Sequence, residues 1–488
     1  MMHSLTSTSR RVWLVAAGVI ISTGCAQSAQ DPPTVVVQPG QNVQQLVDNF
    51  PEGTRFLFQP GIYRQQAIRP KKRQQFIGRD GVILNGAMEL KRWTYESGLW
   101  RHENLPEPLP FRGSCGDGGD LCGYREDLFL DGRLYRRVAT VDELGPGTWY
   151  YADRRAYLRD DPTGHLVELG VTPRAFGGDA EDVVLKDLIV EKYASNAQDG
   201  AIYANDGRGW LISDVTARWN HGAGLSFASQ AQVTGGSFSH NGQLGISGSR
   251  GEGSRIEGME IAFNNYAGYD PGWEGGGTKF GAATGLIVRN TCVHHNDGPG
   301  LWTDYDNIHT LYEGNRIFLN AKEGIKHEIS YDAIIRDNIV AGNGKLKDNW
   351  LWGAQIIIQN SSNVEVYRNL VEVSADFGNG ITVVHQDRGE GAHGPWHAVR
   401  NTVHGNTIVH LGGRGRNGVV TDEDDDSYWT EAANRFDRNS YIVPDGAVRY
   451  WTSRDRNARW DNVEELGFEQ NGELIVEARA PIELSCAR

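Results

Sequence analysis

The chain has 488 residues, of which 61 are glycine, and its 62 acidic and 48 basic side chains give a formal net charge of −14. Glycine is well above its average share of about 7%, which favours a turn-rich β architecture. Proteins that bind nucleic acids show a basic face, so we expect no nucleic-acid partner. The acidic total argues only weakly against an acidic polysaccharide, because local fields decide binding.

The N-terminal residues predict a secretion signal. Arg10 and Arg11 precede a short apolar run over residues 12–21, which is too short to span a membrane. The run ends in the letters ISTGC, which resemble the bacterial lipoprotein cleavage box, with Ser in place of the usual Leu. Residues 1–25 therefore predict export to the periplasm, the outer membrane or the medium. Lipidation of Cys25 and ordinary cleavage a few residues later are alternatives, and only the first gives a membrane contact.

The next two segments predict the start of a coil and an insertion. Residues 34–91 hold short β-like runs separated by Gly or Pro, after an amphipathic stretch that predicts a helical N-terminal cap. Residues 92–170 are rich in Trp, Tyr, Arg and Pro and alternate as hairpins do, which indicates a β-rich insertion. Within it, Cys115 and Cys122 flank the letters GDGGDL, and in an exported protein we expect them to form a disulfide.

Residues 171–449 have a regular rhythm. Glycine followed by a small or apolar residue recurs at steps of about 20 to 30 residues, and asparagine precedes several of these glycines. This pattern predicts an all-β fold, a β-solenoid in which each coil contacts its neighbours, with residues 450–488 as a C-terminal cap and the protein as a monomer. The repeated glycines are Gly200, Gly224, Gly245, Gly300, Gly324, Gly353 and Gly380, and the asparagines are Asn220, Asn241, Asn296, Asn320 and Asn343.

One column of this coil gathers charged side chains. Successive side chains of a strand point to opposite faces, so the residues two and four after each glycine are expected to point outward. Counting four residues from Gly275, Gly300 and Gly324 leads to Lys279, Asp304 and Glu328. Neighbouring parallel strands lie about 4.8 Å apart, so the sequence predicts that these three side chains meet in a catalytic site.

The opening of the chain and its coils resemble a known family. The letters VQPGQNVQQLVDNFPEGTRFLFQPGIYR and QFIGRDGVILNGA, with the Asn/Gly coils, are similar to bacterial right-handed parallel β-helix repeat proteins. That family includes polysaccharide lyases, pectin-type glycoside hydrolases and mannuronan epimerases, so the resemblance implies this fold and a carbohydrate substrate. The fold hosts several chemistries. Gly272 replaces the histidine of the epimerases' Asp-Pro-His motif, and the polygalacturonase signatures Asn-Thr-Asp and Arg-Ile-Lys are missing.

The favoured chemistry is glycoside hydrolysis. This reaction needs a carboxylic acid to protonate the leaving oxygen and a carboxylate to act as nucleophile or base. Glu328 is assigned as acid/base and Asp304 as nucleophile, with the exchanged roles as an alternative, and crowding of like charges would raise one pKa. Asp306 with Glu328 would give a longer separation. Trp302 beside the pair is expected to stack on the sugar.

Two alternatives remain open. In a polysaccharide lyase or C5-epimerase, Asp304, Asp306 and Glu328 would bind Ca²⁺ and Lys279 would be the base, although neighbouring carboxylates oppose its deprotonation. In a non-catalytic glycan-binding protein, the charged column would be a salt-bridge ladder of little energetic weight. In each case a groove beside the column is expected to bind the sugar through Trp273, Glu274, Trp302, Asp306, Lys326, Gln355, Gln359 and His385.

Overall fold

Three long parallel sheets run side by side along most of the chain. The computed structural model describes residues 32–346, 349–423, 426–454 and 456–487, and residues 33–488 form one unit. Among these sheets, the strands before residue 176 belong to the first two only, and from Phe176–Gly177 onward the coils also supply strands to the third. The paired strands stack in parallel from coil to coil, except for an antiparallel pair, Trp451–Ser453 with Arg456–Ala458, that ends the third sheet. The predicted right-handed parallel β-helix is confirmed.

Sheet A has 13 strands in this order: Thr34–Val37, Arg55–Phe58, Gln75–Ile77, Val184–Lys186, Leu211–Ser213, Gln232–Thr234, Arg255–Glu257, Ile287–Arg289, Thr310–Glu313, Ala333–Arg336, Val364–Tyr367, Thr402–His404 and Arg435–Asp437. Sheet B also has 13: Gly61–Arg64, Val82–Asn85, Ile189–Glu191, Thr216–Arg218, Ser237–Ser239, Glu260–Ala262, Cys292–His294, Arg316–Phe318, Ile339–Ala341, Leu370–Val373, Thr407–His410, Ser440–Val443 and Glu473–Val476. Sheet C has 12: Phe176–Gly177, Gly200–Ala204, Ala223–Phe227, Leu244–Ser249, Gly276–Gly281, Leu301–Asp304, Ile325–Glu328, Ala354–Gln359, Asn379–His385, Asn417–Thr421, Trp451–Ser453 and Arg456–Ala458.

The strands are short because each bends into the next sheet at a corner residue. Asp214, Asn290 and Asp337 lie between strands of sheets A and B and have positive φ angles of 54°, 55° and 57°. Aspartate and asparagine tolerate this left-handed geometry better than most residues. The middle residue of each strand points inward, as do the fully buried Tyr312 and Ile335, so the three sheets enclose a continuous apolar core.

Asparagine ladders join successive coils inside two corners. Asn320 shows the pattern, since its Oδ1 accepts hydrogen bonds from the backbone and side-chain amides of Asn296, and its Nδ2 donates to Asn343 at 2.9 Å and to the carbonyl of Val293 at 3.1 Å. A buried amide that is fully paired in this way stabilises the stack. The first ladder contains Asn220, Asn241, Asn264, Asn296, Asn320 and Asn343, and the second contains Asn315, Asn338, Asn369, Asn406 and Asn439.

An eight-stranded sheet, which we call the insertion sheet, leaves the coil after its first turns. In sheet order its strands are Ala87–Glu89, Val167–Gly170, Leu128–Leu130, Arg133–Val138, Thr148–Ala152, Arg155–Leu158, Leu99–His102 and Trp93–Glu96. All its strand pairs are antiparallel except Arg133–Val138 with Thr148–Ala152.

A buried polar contact attaches the insertion to the coil. Asp127 accepts a hydrogen bond of 2.7 Å from the Tyr266 hydroxyl and lies 2.9 Å from Nδ1 of His221. Burial alone would lower the pKa of His221, but the nearby Asp127 carboxylate outweighs this effect, so the pKa of His221 is raised. A charged imidazole is therefore favoured at this interface. Cys115 and Cys122 are joined by a disulfide in the loop that leads to it.

The remaining elements lie at the ends and in two loops. Helix Val43–Asn49 begins at Asn42, whose side chain accepts from the backbone N–H of Gln45, and it buries two valines against the first coil. A second helix spans Asp426–Glu431, a hairpin pairs Glu390–Gly391 with Gly394–Pro395, and short 3-10 turns lie at Leu121–Gly123, Val141–Glu143, Trp460–Asn462 and Glu464–Leu466.

The C-terminal residues continue the coil and then return along it. Strands of sheets B and C extend to Val476, and the tail after them is tied to the middle of the chain by a disulfide between Cys292 and Cys486. The cysteine spacing did not predict this bond. The predicted segment boundaries at residues 91, 170 and 449 stay predictions.

No helix within the described part of the chain is long and apolar enough to cross a membrane. The predicted signal over residues 1–25 and the lipidation of Cys25 lie outside the described residues.

Candidate functional site

Asp304 and Glu328 lie at paired positions on neighbouring strands of sheet C. Strands Leu301–Asp304 and Ile325–Glu328 run parallel, so the two carboxyl groups project from the same outward row of adjacent coils. The Cα separation of such a pair is close to the strand spacing of about 4.8 Å. The site therefore begins with two acids on one face.

Lys279 does not share that row. Gly281 pairs with Asp304, which places Lys279 two positions earlier, in the row of Trp302 and Lys326. The prediction that counted four residues from the first of three consecutive glycines was wrong by two positions.

The structural equivalent of Gly300 is Gly277, not Gly275. A Cβ atom added to Gly277 would lie 2.5 Å from the carbonyl oxygen of Gly300 and 3.0 Å from the amide of Asn296, and one added to Gly300 would meet the next coil in the same way. Only glycine fits where the backbone approaches the asparagine ladder this closely. Of the three consecutive glycines, only Gly277 stands in register with Gly300 and therefore has this role.

Lys279 nevertheless reaches the carboxylates. Its Nζ lies 2.8 Å from Oδ2 of Asp304 and 3.4 Å from Glu274, and it donates a hydrogen bond of 2.8 Å to the carbonyl of Trp273. The predicted grouping of these residues is thus present, through a diagonal contact. Oδ1 of Asp304 has no hydrogen-bond partner within the described ranges, so one oxygen of this carboxylate is available to a ligand.

Trp302 lies between two lysines and is closed to solvent. Lys279 Nζ lies 4.1 Å from its ring centroid and Lys326 Nζ 4.4 Å, and Trp302 is only 1% exposed. Its predicted role as an open stacking face for a sugar is wrong, because cation–π contacts cover the ring along the coil axis. The indole instead holds two ammonium groups beside the acids and donates a hydrogen bond of 3.1 Å from Nε1 to Glu328.

Glu328 is a buried carboxylate with both oxygens occupied. Oε2 lies 2.6 Å from Nζ of Lys326 and accepts from Trp302, and Oε1 lies 3.0 Å from Nη1 of Arg388. Burial alone would raise the pKa of Glu328, but the combined effect of Lys326 and Arg388 outweighs burial and lowers the pKa to about 2. The free protein therefore holds Glu328 ionised, whereas crowding of like charges was expected to raise one of the acids.

Lys326 is the buried partner of this acid. Desolvation alone would lower the pKa of Lys326, but the Glu328 carboxylate, with a second contribution from Glu323, outweighs this effect and raises the pKa. The ammonium form is therefore favoured. The geometry therefore does not support the prediction that Lys326 contacts the sugar directly, because its ammonium group is paired with Glu328.

Arg388 is a residue that the sequence analysis missed. It lies after the end of strand Asn379–His385, 60 residues beyond the glutamate that it contacts, and its side chain is 36% exposed against 7% for Glu328. Coil periodicity carries no information about loops between coils, so no sequence pattern pointed to this contact.

Two predicted groove residues lie away from the acids. Gln355 occupies the glycine position of its coil, and its Oε1 ends the first asparagine ladder by accepting from Asn343 at 2.8 Å. Its side chain is buried, and the prediction that it lines a groove is wrong. That prediction took Gly353 as the equivalent of Gly324, whereas the residue in register with Gly324 is Gln355 itself, two positions later. His385 is buried against Tyr428, with ring centroids 4.2 Å apart.

Gln359 continues the row of the two acids. It pairs with Glu328 on the next coil, and its Nε2 donates to Gln386 at 3.2 Å, while its Oε1 has no hydrogen-bond partner in the described part of the chain. Of the predicted groove residues beyond the acids, Gln359 therefore keeps an unused acceptor next to Glu328.

Asp306 faces the hairpin loop and not the other acids. Its Oδ1 accepts hydrogen bonds from the backbone of Ala392 at 3.0 Å and from Nε1 of Trp396 at 3.1 Å. Asp304 and Glu328 are meanwhile paired with cations. Among the described residues, the only group of three potential ligands close enough to share an ion is Cys292, His294 and Cys486, and the two cysteines are disulfide-bonded. The calcium site predicted from Asp304, Asp306 and Glu328 is not assembled.

Two loops enclose the acid pair. Toward the C-terminal coils, Leu351 covers the outward residues Ile357 and Val384 of sheet C, with Trp350 and Trp352 packed against this apolar cluster. Toward the N-terminal coils, the disulfide loop of the insertion packs on Tyr269 and Trp273. The charged cluster lies on the coils of sheet C between these two contacts.

Comparisons with known proteins agree with this architecture. The sequence pattern of the family described as the right handed beta helix region matches residues 200–371. The chain is a right-handed parallel β-helix protein. No curated protein sequence matches this β-helix protein significantly.

Among solved structures, the complex of XylC with xylose is similar to this β-helix protein with a TM-score of 0.68 at 14% identity, covering 89% of this chain and 83% of that one. The A-module of mannuronan C-5 epimerase AlgE6 from Azotobacter vinelandii has a TM-score of 0.47 at 12% identity, with coverage of 90% and 94%. The family 28 exopolygalacturonase of Yersinia enterocolitica has a TM-score of 0.39 at 11% identity, with coverage of 91% and 78%.

Proposed function

We propose that this β-helix protein is a carbohydrate-active enzyme that hydrolyses glycosidic bonds, with Asp304 and Glu328 as its two carboxyl groups. The observation that carries the proposal is their pairing on adjacent parallel strands. Retaining glycosidases hold their two carboxyl groups about 5 to 5.5 Å apart, which is close to the spacing of parallel strands. The similar fold of a protein solved with xylose supports a sugar ligand.

The free oxygens favour Asp304 as the nucleophile. A nucleophile must be ionised and must present an oxygen to the anomeric carbon. Lys279 occupies only Oδ2 of Asp304, at 2.8 Å. Both oxygens of Glu328 are occupied by cations and by an indole N–H. Asp304 is the acid that is ready to attack.

Glu328 is then the acid/base, which requires that its surroundings change when substrate binds. Arg388 is the most exposed of its partners, so substrate can displace this guanidinium without opening the core. Losing one cation raises the pKa of the carboxyl and lets it carry the proton to the leaving oxygen. Hydrogen bonds in a free enzyme often differ from those in the reacting complex.

The contacts of Lys279 argue against elimination. A lyase base must be neutral, but this ammonium is bonded to Asp304, Glu274 and the carbonyl of Trp273. These three contacts direct its nitrogen at acceptors within the charged cluster and not at a substrate proton. Hydrolysis therefore uses the charges as they stand.

Export is part of the proposal. Two disulfides, Cys115–Cys122 and Cys292–Cys486, fit an oxidising compartment. The predicted signal would direct the protein there, and the lipid anchor at Cys25 would be its only membrane contact. A monomeric state remains a prediction from the sequence.

An assay of products tests the proposed reaction. The protein is incubated with neutral and acidic oligosaccharides, including xylo-oligosaccharides, with and without a chelator. New reducing ends without ultraviolet absorbance indicate hydrolysis, and absorbance from an unsaturated sugar indicates elimination and contradicts the proposal. Glu328→Gln should abolish cleavage of unactivated substrates, whereas Glu257→Gln, the same change in a sheet A ion pair with Arg289, should not. Absence of any product would favour a non-catalytic glycan-binding protein.

A further inference from the structure

Arg125 is a buried arginine without a partner. It is 8% exposed, and within the described ranges its guanidinium forms no hydrogen bond or ion pair, with Nε fully enclosed. A buried charge normally pairs with an opposite charge, because an unpaired one costs several kcal/mol. An unpaired guanidinium of this kind therefore points to an anion that is not part of the protein.

The acids near Arg125 are already committed to other arginines. The charges that act on it come from Glu126, Asp199 and Arg174. Glu126 lies 3.4 Å from Arg137, and Asp199 lies 2.6 Å from Arg174. Neither carboxylate forms an ion pair or a hydrogen bond with Arg125 within the described residues.

Two more buried donors have no hydrogen-bond partner. The Tyr269 hydroxyl and Nε2 of Gln243 are buried and unpaired in the described structure, and Tyr269 interacts electrostatically with both Arg125 and Arg112. Arg112 is exposed and donates a hydrogen bond of 2.5 Å to Gln198. Arg125 also interacts electrostatically with Arg174, so cationic side chains act on this region in a protein whose net charge is −14.

This cationic group is connected to the acid pair. Gln198 accepts from Arg112, donates its backbone N–H to Gln243 at 2.6 Å, and donates its side-chain amide to Glu274 at 2.9 Å. Glu274 in turn contacts Lys279, the partner of Asp304. Gln243 immediately precedes strand Leu244–Ser249, which lies two coils before strand Leu301–Asp304, or roughly 10 Å along the coil axis.

We infer that Arg125, with Arg112 and Gln243, forms a subsite that binds the carboxylate of a sugar acid beside the carboxylate pair. The inference rests on the proposed function for its substrate class, although binding can be measured without cleavage. A planar guanidinium binds a carboxylate through two parallel hydrogen bonds.

Binding of matched ligand pairs tests this subsite. The probes are a xylotriose that carries one glucuronic acid branch, and trigalacturonic acid, each compared with the same molecule after reduction of its carboxyl groups to alcohols. Affinities are measured by calorimetry on the Asp304→Asn variant, which prevents cleavage. At least one acid should bind about 10- to 100-fold more tightly than its alcohol, the range for a hydrogen bond to a charged group.

Two variants locate the preference. Arg125→Met should remove it without weakening the binding of the alcohols, and Gln243→Glu should also remove it while keeping the acceptor for Gln198. Arg368→Met, which removes an exposed arginine paired with Asp337, serves as the matched control. Thermal unfolding measures whether each variant is folded. If Arg125→Met does not fold, the binding result of Gln243→Glu decides the outcome.

Equal affinity for acid and alcohol with both probes, or a preference that survives in the two variants, overturns the subsite. Selective binding of an acid without cleavage of any saccharide would contradict the hydrolase proposal and leave the subsite standing. Cleavage of neutral saccharides with no preference for acids would contradict the subsite alone.

Discussion

At the scale of single residues, the site is a balance between buried and partly buried charges of opposite sign. Glu328 has a pKa of about 2, below its ordinary value of 4.5. A carboxylate whose pKa is depressed in the folded state stabilises the fold above its unfolded pKa and loses that contribution as the pH falls through the folded one. For Glu328 this loss occurs between about pH 4.5 and pH 2.

We therefore predict that Glu328→Gln lowers the free energy of unfolding at pH 7 by about 3 kcal/mol, because Lys326 would remain buried without its anion. The difference from the wild type should shrink as the pH falls toward 2. Denaturant unfolding at pH 7 and pH 2.5 measures both values. If the variant is as stable as the wild type at pH 7, the ion pair between Glu328 and Lys326 contributes nothing to the free energy of unfolding.

Arg388 sets the charge of Glu328 from outside. Arg388→Met removes one of its two cationic partners, so the pKa of Glu328 should rise by about one unit. If Glu328 is the proton donor, the alkaline limb of the kcat/KM profile moves to higher pH by that amount. A shift of the acidic limb instead would assign Glu328 as the nucleophile, and an unshifted profile would contradict a role for Arg388.

At the scale of elements, the asparagine ladders hold one coil to the next. Asn320 makes four ladder hydrogen bonds inside a corner. Asn320→Ala leaves several buried amide and carbonyl groups unpaired, and each costs about 1 kcal/mol or more, so the free energy of unfolding should fall by about 3 kcal/mol. The exposed Asn462→Ala change is the control and should have little effect. Equal stability of the two variants would contradict the role of the ladder.

The ladders also show what the sequence can and cannot predict. Glycine and asparagine at repeated offsets predicted the coil, its first ladder and the face with the acids, because their geometry recurs in every coil. The register failed where the pattern was degenerate, at the three glycines 275–277, and where a loop separates Asn343 from its ladder partner Gln355. Residues from loops, such as Arg388 and Arg125, have no periodic signal and were missed.

At the scale of the whole molecule, one covalent bond links distant parts of the coil. The disulfide Cys292–Cys486 joins residues 194 positions apart. Closing so long a loop restricts the unfolded chain strongly, so Cys486→Ser should lower the free energy of unfolding by about 3 kcal/mol. Denaturation under non-reducing conditions measures this. The catalytic rate should remain unchanged, because the bond lies on sheet B and the acids lie on sheet C.

The account depends most on Asp304 acting as a nucleophile beside Glu328, and trapping tests this directly. An activated 2-deoxy-2-fluoro glycoside of the sugar released in the product assay should react once per protein and slow the second step. Mass spectrometry of the digested protein should locate the sugar on Asp304, and Glu328→Gln should still accept the label because the leaving group needs no proton. A label on another residue, or turnover without any covalent species, would contradict the proposed site.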